Sequence, residues 1–288
     1  MRHAVLGVGG IGGLVGAALA RGGADVLLLM RPETLAVYGG RLVVQSVVLG
    51  DFEIAVTAAA SLDRTVEVLW VAVKATHLRQ SFALAPPDDV ADATVIPLLN
   101  GLDHMVALRE RYRAVVAGAI RVESERVSPG RIRQTSPFLR IDLCGASAGV
   151  VSDVNAAGID CRVRDDEATL LWDKLAFLAP VALATSALDA PLGDVRSDDR
   201  YVRCKQEVVT VARSEGAHVD PHGLAALEAA APDTTRSSMQ KDIAAGREPE
   251  LDAIAGPIVS GARRHGIDVP ATEELVQLVA ARLRRAAT

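Results

Sequence analysis

The sequence predicts an α/β domain followed by an all-helical one, and three observations carry this. Over the first half, short apolar runs (HAVLGV at 3–8, DVLLLM at 25–30, EVLWVAV at 67–73, TVIPLL at 94–99) alternate with helix-like stretches, as buried parallel strands and their crossovers do. A glycine-spaced loop, Gly7-Val8-Gly9-Gly10-Ile11-Gly12, separates the first run from the first of those stretches. Beyond about Arg164 every long segment has helical periodicity. This gives domains at 1–164 and 165–288, and two domains suit 288 residues, since single cores stop growing at roughly 250–300 residues.

In chain order, the strand at 3–8, the Ala- and Gly-rich helix at 10–22 and the strand at 25–30 form a strand–helix–strand unit. RLVVQSVVL at 41–49 and the segment 51–56 alternate loosely about Gly50 and predict a hairpin. The strand at 67–73 is followed by a helix from about 76, the strand at 94–99 by a helix near 103–112, and AVVAGA at 114–119 reads as one more strand. From 120 to 143 short strands broken by Ser128-Pro129-Gly130 and Ser136-Pro137 predict a meander, without another crossover. Helices follow over 166–185, 199–216, 221–230, 236–246, 250–264 and 271–286. Prolines at 180, 191, 221, 232, 249, 257 and 270 punctuate them, some marking helix starts.

Composition narrows the function. Half the residues are hydrophobic and 23% are charged, which suits a folded core. A net charge of −5 offers no footprint for nucleic acid or anionic lipid. No apolar run approaches the roughly 18 residues that a membrane span needs, and the glycines near the N-terminus break what a leader peptide would need as an apolar helix. Cys144, Cys161 and Cys204 have no metal spacing and read as reduced, packed thiols, so no metal and a cytoplasmic location are expected.

A GxGxxG between a buried strand and a helix is the fingerprint of a Rossmann domain. The first glycine permits the tight turn, the second lets backbone approach a pyrophosphate, and the third lets helix and strand pack closely. Gly7, Gly9, Gly10, Ile11 and Gly12 are therefore candidate cofactor residues, with the pyrophosphate at the helix N-terminus. An NAD-preferring site places an acid at the end of the second strand. Here that strand ends Leu29-Met30-Arg31, with no acid until Glu33, and a guanidinium pairs bidentately with a 2′-phosphate. Arg31 predicts NADP; a solvated strand-end arginine is the alternative.

Only four of the 31 basic residues are lysines: Lys74, Lys174, Lys205 and Lys241. Lysine can lose its proton on burial, which arginine does not. Lys174 has Leu170, Leu171, Phe177 and Leu178 three and four residues away, which places it on an apolar helix stripe. It reads either as a general acid or as a lysine that lends its stem to the core and its head to water. Lys74 and Asn100 each follow a buried strand and lie at the carboxyl edge of the sheet, where open α/β sheets bind ligands. From the residues alone, Asn100-Gly101 reads better as a turn than as a ligand-bonding amide.

Taken together, GVGGIG at 7–12, Arg31, VAVKA at 71–75, LLNG at 98–101, LWDKLAF at 171–177 and SSMQKDIAAGREPELDAIAGPI at 237–258 resemble the 2-dehydropantoate 2-reductases (ketopantoate reductases), nearly end to end. The resemblance implies a Rossmann domain joined to a helical domain of the 6-phosphogluconate dehydrogenase C-terminal kind, with catalysis in the cleft between them. It implies NADPH as cofactor, a small 2-oxo acid as substrate, a place in pantothenate biosynthesis and a homodimer. Carried over by residue, Lys174 is the catalytic lysine and Glu250 the acid that helps hold it and contacts substrate. Ser238 contacts the substrate carboxylate, Asn100 bonds cofactor and substrate, and Lys74 lies beside the cofactor. By their own setting, Glu250 after Pro249 and Ser238 read simply as helix-start residues.

The chain departs from the family pattern where asparagines stand four and eight residues after the lysine, because here those positions are Leu178 and Ala182; Pro249 also replaces a usual threonine. Both positions share the face of Lys174 and are expected to line its cleft. That opens a more apolar 2-oxo acid or ketone as substrate, or an NADP-binding regulator that has lost its pocket. A 3-hydroxyacid-type dehydrogenase shares the plan, but it would carry an acid where Arg31 stands.

Overall fold

The computed structural model describes residues 1–286 and divides the chain into two compact units: Met1–Leu99 with His104–Glu167, and Asn100–Asp103 with Ala168 onward. In the first unit the order is β1 (Arg2–Leu6), α1 (Gly10–Arg21), β2 (Asp25–Leu29), α2 (Pro32–Leu35), β3 (Arg41–Ser46), β4 (Phe52–Ala55), β5 (Thr57–Ala59), β6 (Val68–Val71), α3 (Leu78–Ser81), β7 (Thr94–Pro97), α4 (His104–Arg109), β8 (Ala117–Arg121), β9 (Ser124–Ser128), β10 (Arg131–Gln134), β11 (Arg140–Cys144), α5 (Ala148–Ala156) and β12 (Asp160–Arg164). The second unit holds α6 (Glu167–Leu188), whose first residue belongs to the first unit, then α7 (Leu192–Val195), α8 (Asp199–Ser214), α9 (Pro221–Ala230), α10 (Ser238–Ala244), α11 (Leu251–His265) and α12 (Pro270–Ala286).

Apolar runs with no polar face must be covered on both sides, and β1, β2, β6 and β7 are, in a parallel sheet of order β5-β2-β1-β6-β7. Chain order reverses between β1 and β6, so the loop after β1 opens at the switch point where such sheets take ligands. A second sheet, β4-β3-β10-β9, contains the expected β3–β4 hairpin, with Gly50 at φ 73 in its connection.

α1 lies between these two sheets, and its glycines say how closely. A Cβ on Gly12 would overlap the Gly7 carbonyl, and one on Gly16 would come within 2.8 Å of Leu28. On the other side, a Cβ on Gly10 would overlap the Ser124 carbonyl of β9, and one on Gly13 would meet Ile132 of β10 at 2.5 Å. A helix that is apolar all round is a helix covered all round.

The 120–143 region corrects the expected meander. β9 and β10 do form an antiparallel pair, but β10 runs on beside β3, and β11 leaves for a third sheet, β12-β11-β8. There β11 and β12 are parallel and joined through α5, which is a crossover. The helix expected from about 76 is broken into short turns around α3, and the strand expected at 114–119 begins at Ala117.

The second unit is helical throughout and packs about one core that includes Trp172, Leu183, Tyr201, Val208 and Ile258. Pro221 and Pro270 open α9 and α12, whereas Pro180 and Pro257 lie inside α6 and α11, where each removes one helical N–H. α6 is long and apolar enough by length and composition to cross a membrane, contrary to the reading from apolar runs, yet 67% of its most apolar window is buried inside the protein. The three cysteines have no disulfide partner; burial pushes the Cys161 thiol up to about 11 and the Cys204 thiol up to about 12.

Candidate active site

In the first unit, Gly7 sits at φ 94, a conformation that a side chain would strain, and a Cβ there would also meet Val73 at 2.5 Å. Gly12 packs on Gly7 and Gly10 on β9, so both are glycines for reasons of packing. Gly9 differs: it is the N-cap of α1, and a Cβ built on it meets nothing within 4 Å. Its glycine keeps clear a space in front of the first turn, whose unpaired N–H groups favour an anion. Ile11 is half-buried in that turn.

Two further candidates follow strands of the same sheet. Arg31 comes two residues after β2 as the N-cap of α2; it is exposed, while Met30 beneath it is buried. Lys74, three residues after β6, is half-buried at the head of a short helical turn.

The remaining candidates belong to the second unit. Lys174 is half-buried on α6; of its four apolar neighbours Leu170 is buried, while Leu171, Phe177 and Leu178 are half-buried, so it stands at the border of the stripe. Asn100 Nδ2 donates to Glu250 Oε2 at 3.1 Å, across 150 residues of chain. The chain does bend at Asn100-Gly101, and the Asn100 side chain is engaged with the start of α11 as well. The next residue makes this possible: Gly101 has φ 80, and a Cβ there would overlap the Ala253 carbonyl. Pro257, four residues on, has no N–H to give that carbonyl, so the loop comes in where the helix leaves an acceptor unsatisfied. Glu250 is the half-buried N-cap of α11; its carboxylate does not cap that helix and accepts from Asn100.

Ser237, not Ser238, caps α10, accepting the Gln240 amide at 3.1 Å. Ser238 is the first residue of the helix and is exposed. Of the pair expected to line the cleft, one member is corrected. Leu178 is half-buried, but Ala182 is fully buried in the helical core and presents no surface to a ligand.

Models of the two halves of one family match this chain: "Ketopantoate reductase PanE/ApbA" over residues 3–143 and its C-terminal part over 168–283. The chain belongs to the ketopantoate reductase family. A 2-dehydropantoate 2-reductase from Halobacterium salinarum is 30% identical over 97% of this chain and 98% of its own. The crystal structure of a PanE/ApbA family ketopantoate reductase from Ralstonia eutropha superposes with a TM-score of 0.88 at 26% identity, covering all of both chains. D-mandelate dehydrogenase, solved with NADH and anilino(oxo)acetate, superposes at 0.86 over both full chains with 19% identity, a likeness of fold alone. The chain is thus an oxidoreductase resembling the 2-dehydropantoate 2-reductases, with a Rossmann-like first part and a helical second part.

Sequence reasoning missed what lets Asn100 reach Glu250, the close approach of Gly101 to α11 beside Pro257. Pro257 and Gly101 were visible as residues, but only their meeting gives them meaning.

Proposed function

We propose that this chain reduces a 2-oxo acid to the 2-hydroxy acid with NADPH, and that its substrate is less hydroxylated than ketopantoate. The observation that carries the reading is the Asn100–Glu250 hydrogen bond, because it joins two residues nominated independently by the family resemblance. The open space at Gly9, framed by the packed Gly7 and Gly12, fits a pyrophosphate at the head of α1. Gly7, Gly9, Gly10, Ile11, Gly12, Arg31, Lys74 and Asn100 would hold the cofactor. When bound, NADPH supplies the hydride to the carbonyl carbon. Lys174 holds the proton that the carbonyl oxygen takes as that carbon is reduced, so a 2-oxo acid leaves as a 2-hydroxy acid. Glu250, fixed by the Asn100 amide, orients lysine and substrate, and the exposed Ser238 hydroxyl bonds the substrate carboxylate. The choice of NADPH rests on Arg31 and not on the fold, since D-mandelate dehydrogenase of the same fold was solved with NADH.

Leu178 carries the second half of the proposal. It stands where the family places an amide, and the nearby hydroxyls do not replace that amide, because Thr185 and Ser186 are fully buried. An apolar pocket discriminates by only about 10–200-fold per methylene, whereas a site built to bond a hydroxyl rejects its absence far more strongly. Purified protein assayed by loss of NADPH absorbance on ketopantoate and 2-oxoisovalerate tests both halves. We expect turnover on both, with kcat/KM values within about tenfold. A preference of about a hundredfold for ketopantoate would remove the apolar-pocket claim, and no turnover on any 2-oxo acid would remove the reductase reading.

A further inference from the structure

The end of α6 and the start of α10 meet through buried polar groups that the proposed reaction does not use. Thr185 is fully buried, and Ser237 and Gln240 nearly so. Thr185 Oγ1 lies 2.7 Å from the Val181 carbonyl oxygen and 2.8 Å from Ser237 Oγ. A hydroxyl has one proton and the carbonyl can only accept, so the Thr185 proton goes to Val181 and the Ser237 hydroxyl donates to Thr185. Ser237 Oγ still accepts the Gln240 amide at 3.1 Å, so each hydroxyl donates one bond and accepts one.

A second tie runs beside the first. Gln240 Nε2 donates to Asp189 Oδ1 at 3.3 Å, and Arg282 of α12 pairs with Asp189 Oδ2 at 2.9 Å while also donating to the Ser186 carbonyl. Asp189 sits at φ 53, left-handed backbone just past the last turn of α6. Two independent polar ties between the same two helix ends fix one against the other, and they do so beside an exposed serine. Ser238 follows the Ser237 cap directly, and Thr185 follows Lys174 by eleven residues, about three turns of the same helix.

We propose that Thr185 is a positioning residue: through its hydroxyl pair with Ser237 it sets where α10 presents Ser238, and so how firmly a substrate carboxylate is held. This rests on the reductase reading given above. Thr185→Val keeps the shape and removes the hydroxyl. A group that holds substrate equally before and during reaction affects binding alone, so KM for the 2-oxo acid rises about tenfold while kcat and the KM for NADPH stay within about twofold. Thr185→Ser returns the hydroxyl and restores KM. Ser237→Gly removes the hydroxyl from the other side at little cost to the cap and gives the same split, which keeps the test open if the valine variant does not fold. Lower thermal stability with unchanged KM in the valine and glycine variants would overturn the positioning role. Should the wild type reduce no 2-oxo acid, the substrate reading fails by itself, and amide exchange judges the tie. Residues 238–244 are then expected to exchange about tenfold faster in Thr185→Val than in wild type, with α11 unchanged; equal exchange would overturn it.

Discussion

In the proposed reading cofactor choice turns on Arg31, which is exposed just past the end of β2 with Pro32 directly behind it and no acid before Glu33. Arg31→Ala should weaken NADPH binding by about 1.5–3 kcal/mol, the scale of a charged hydrogen bond, and leave NADH nearly unchanged. Titrations of both cofactors decide it, and equal losses would mean that Arg31 does not read the phosphate. Lys174→Ala should lower turnover by roughly 10²–10⁴-fold with NADPH affinity retained; full turnover would take the lysine out of the mechanism. Both residues stand out in the sequence because each breaks a local expectation, a base in an acid's place and a lysine in an arginine-rich chain. The side-chain register around them was less legible. Two adjacent serines leave the cap of α10 uncertain by one position, a margin that sequence cannot close. In a helix as apolar as α6, periodicity does not tell the core-facing Ala182 from a ligand-facing residue.

α1 is the element whose sequence is most tightly dictated, since it is covered on two sides by sheets and bears an anion-favouring N-terminus on a third. Its glycines therefore divide by cause. Gly12→Ala and Gly10→Ala press a methyl into backbone carbonyls and should destabilise the fold by about 1–3 kcal/mol, as overpacking does. Gly9→Ala has room and extended backbone, so its thermal stability should stay within about 0.5 kcal/mol of wild type while NADPH binding is lost. A Gly9→Ala protein that binds NADPH normally would show that the space is not the pyrophosphate's. The long helices and the buried parallel strands were readable for the same reason as α1, a strong pattern over enough residues. Weak patterns hid the rest: β5 has three residues, α5 buries only Val150 and Val154, and edge strand β12 reads DCRVR with no clean alternation. The α5 crossover, which makes β11 and β12 parallel, was lost with them.

At the scale of the whole molecule the chain forms two units, and the second takes in Asn100–Asp103, four residues that no composition shift marks. Their place was unreadable because it depends on Gly101 lying against α11. Stability of the first unit depends in turn on a buried histidine. His3 is 1% exposed; Trp70 Nε1 donates to its Nδ1 at 3.1 Å, which fixes the proton on Nε2, and Nε2 donates to Asp153 Oδ2 of α5 at 2.9 Å. Three elements, β1, β6 and α5, are tied through one neutral ring. Burial holds the imidazole below its usual 6.5, outweighing the carboxylate beside it. Burial alone would raise the Asp153 carboxyl, but His3 and the terminal ammonium together hold it below 3.8. Both folded values lie under the unfolded ones, so the stabilisation is complete above pH 6.5 and is lost as pH falls, first through His3 and then through Asp153, because the unfolded chain takes protons that the folded chain refuses. One such proton contributes at most about 1.4 kcal/mol per pH unit. Urea unfolding midpoints should therefore fall in wild type between about pH 7.5 and about pH 5, a range that brackets the ordinary imidazole value. They should fall less in His3→Gln, which starts lower because the ring is gone but has nothing there to titrate. Parallel slopes in the two proteins would show that acid acts elsewhere and that the ring does not hold these elements in its neutral form.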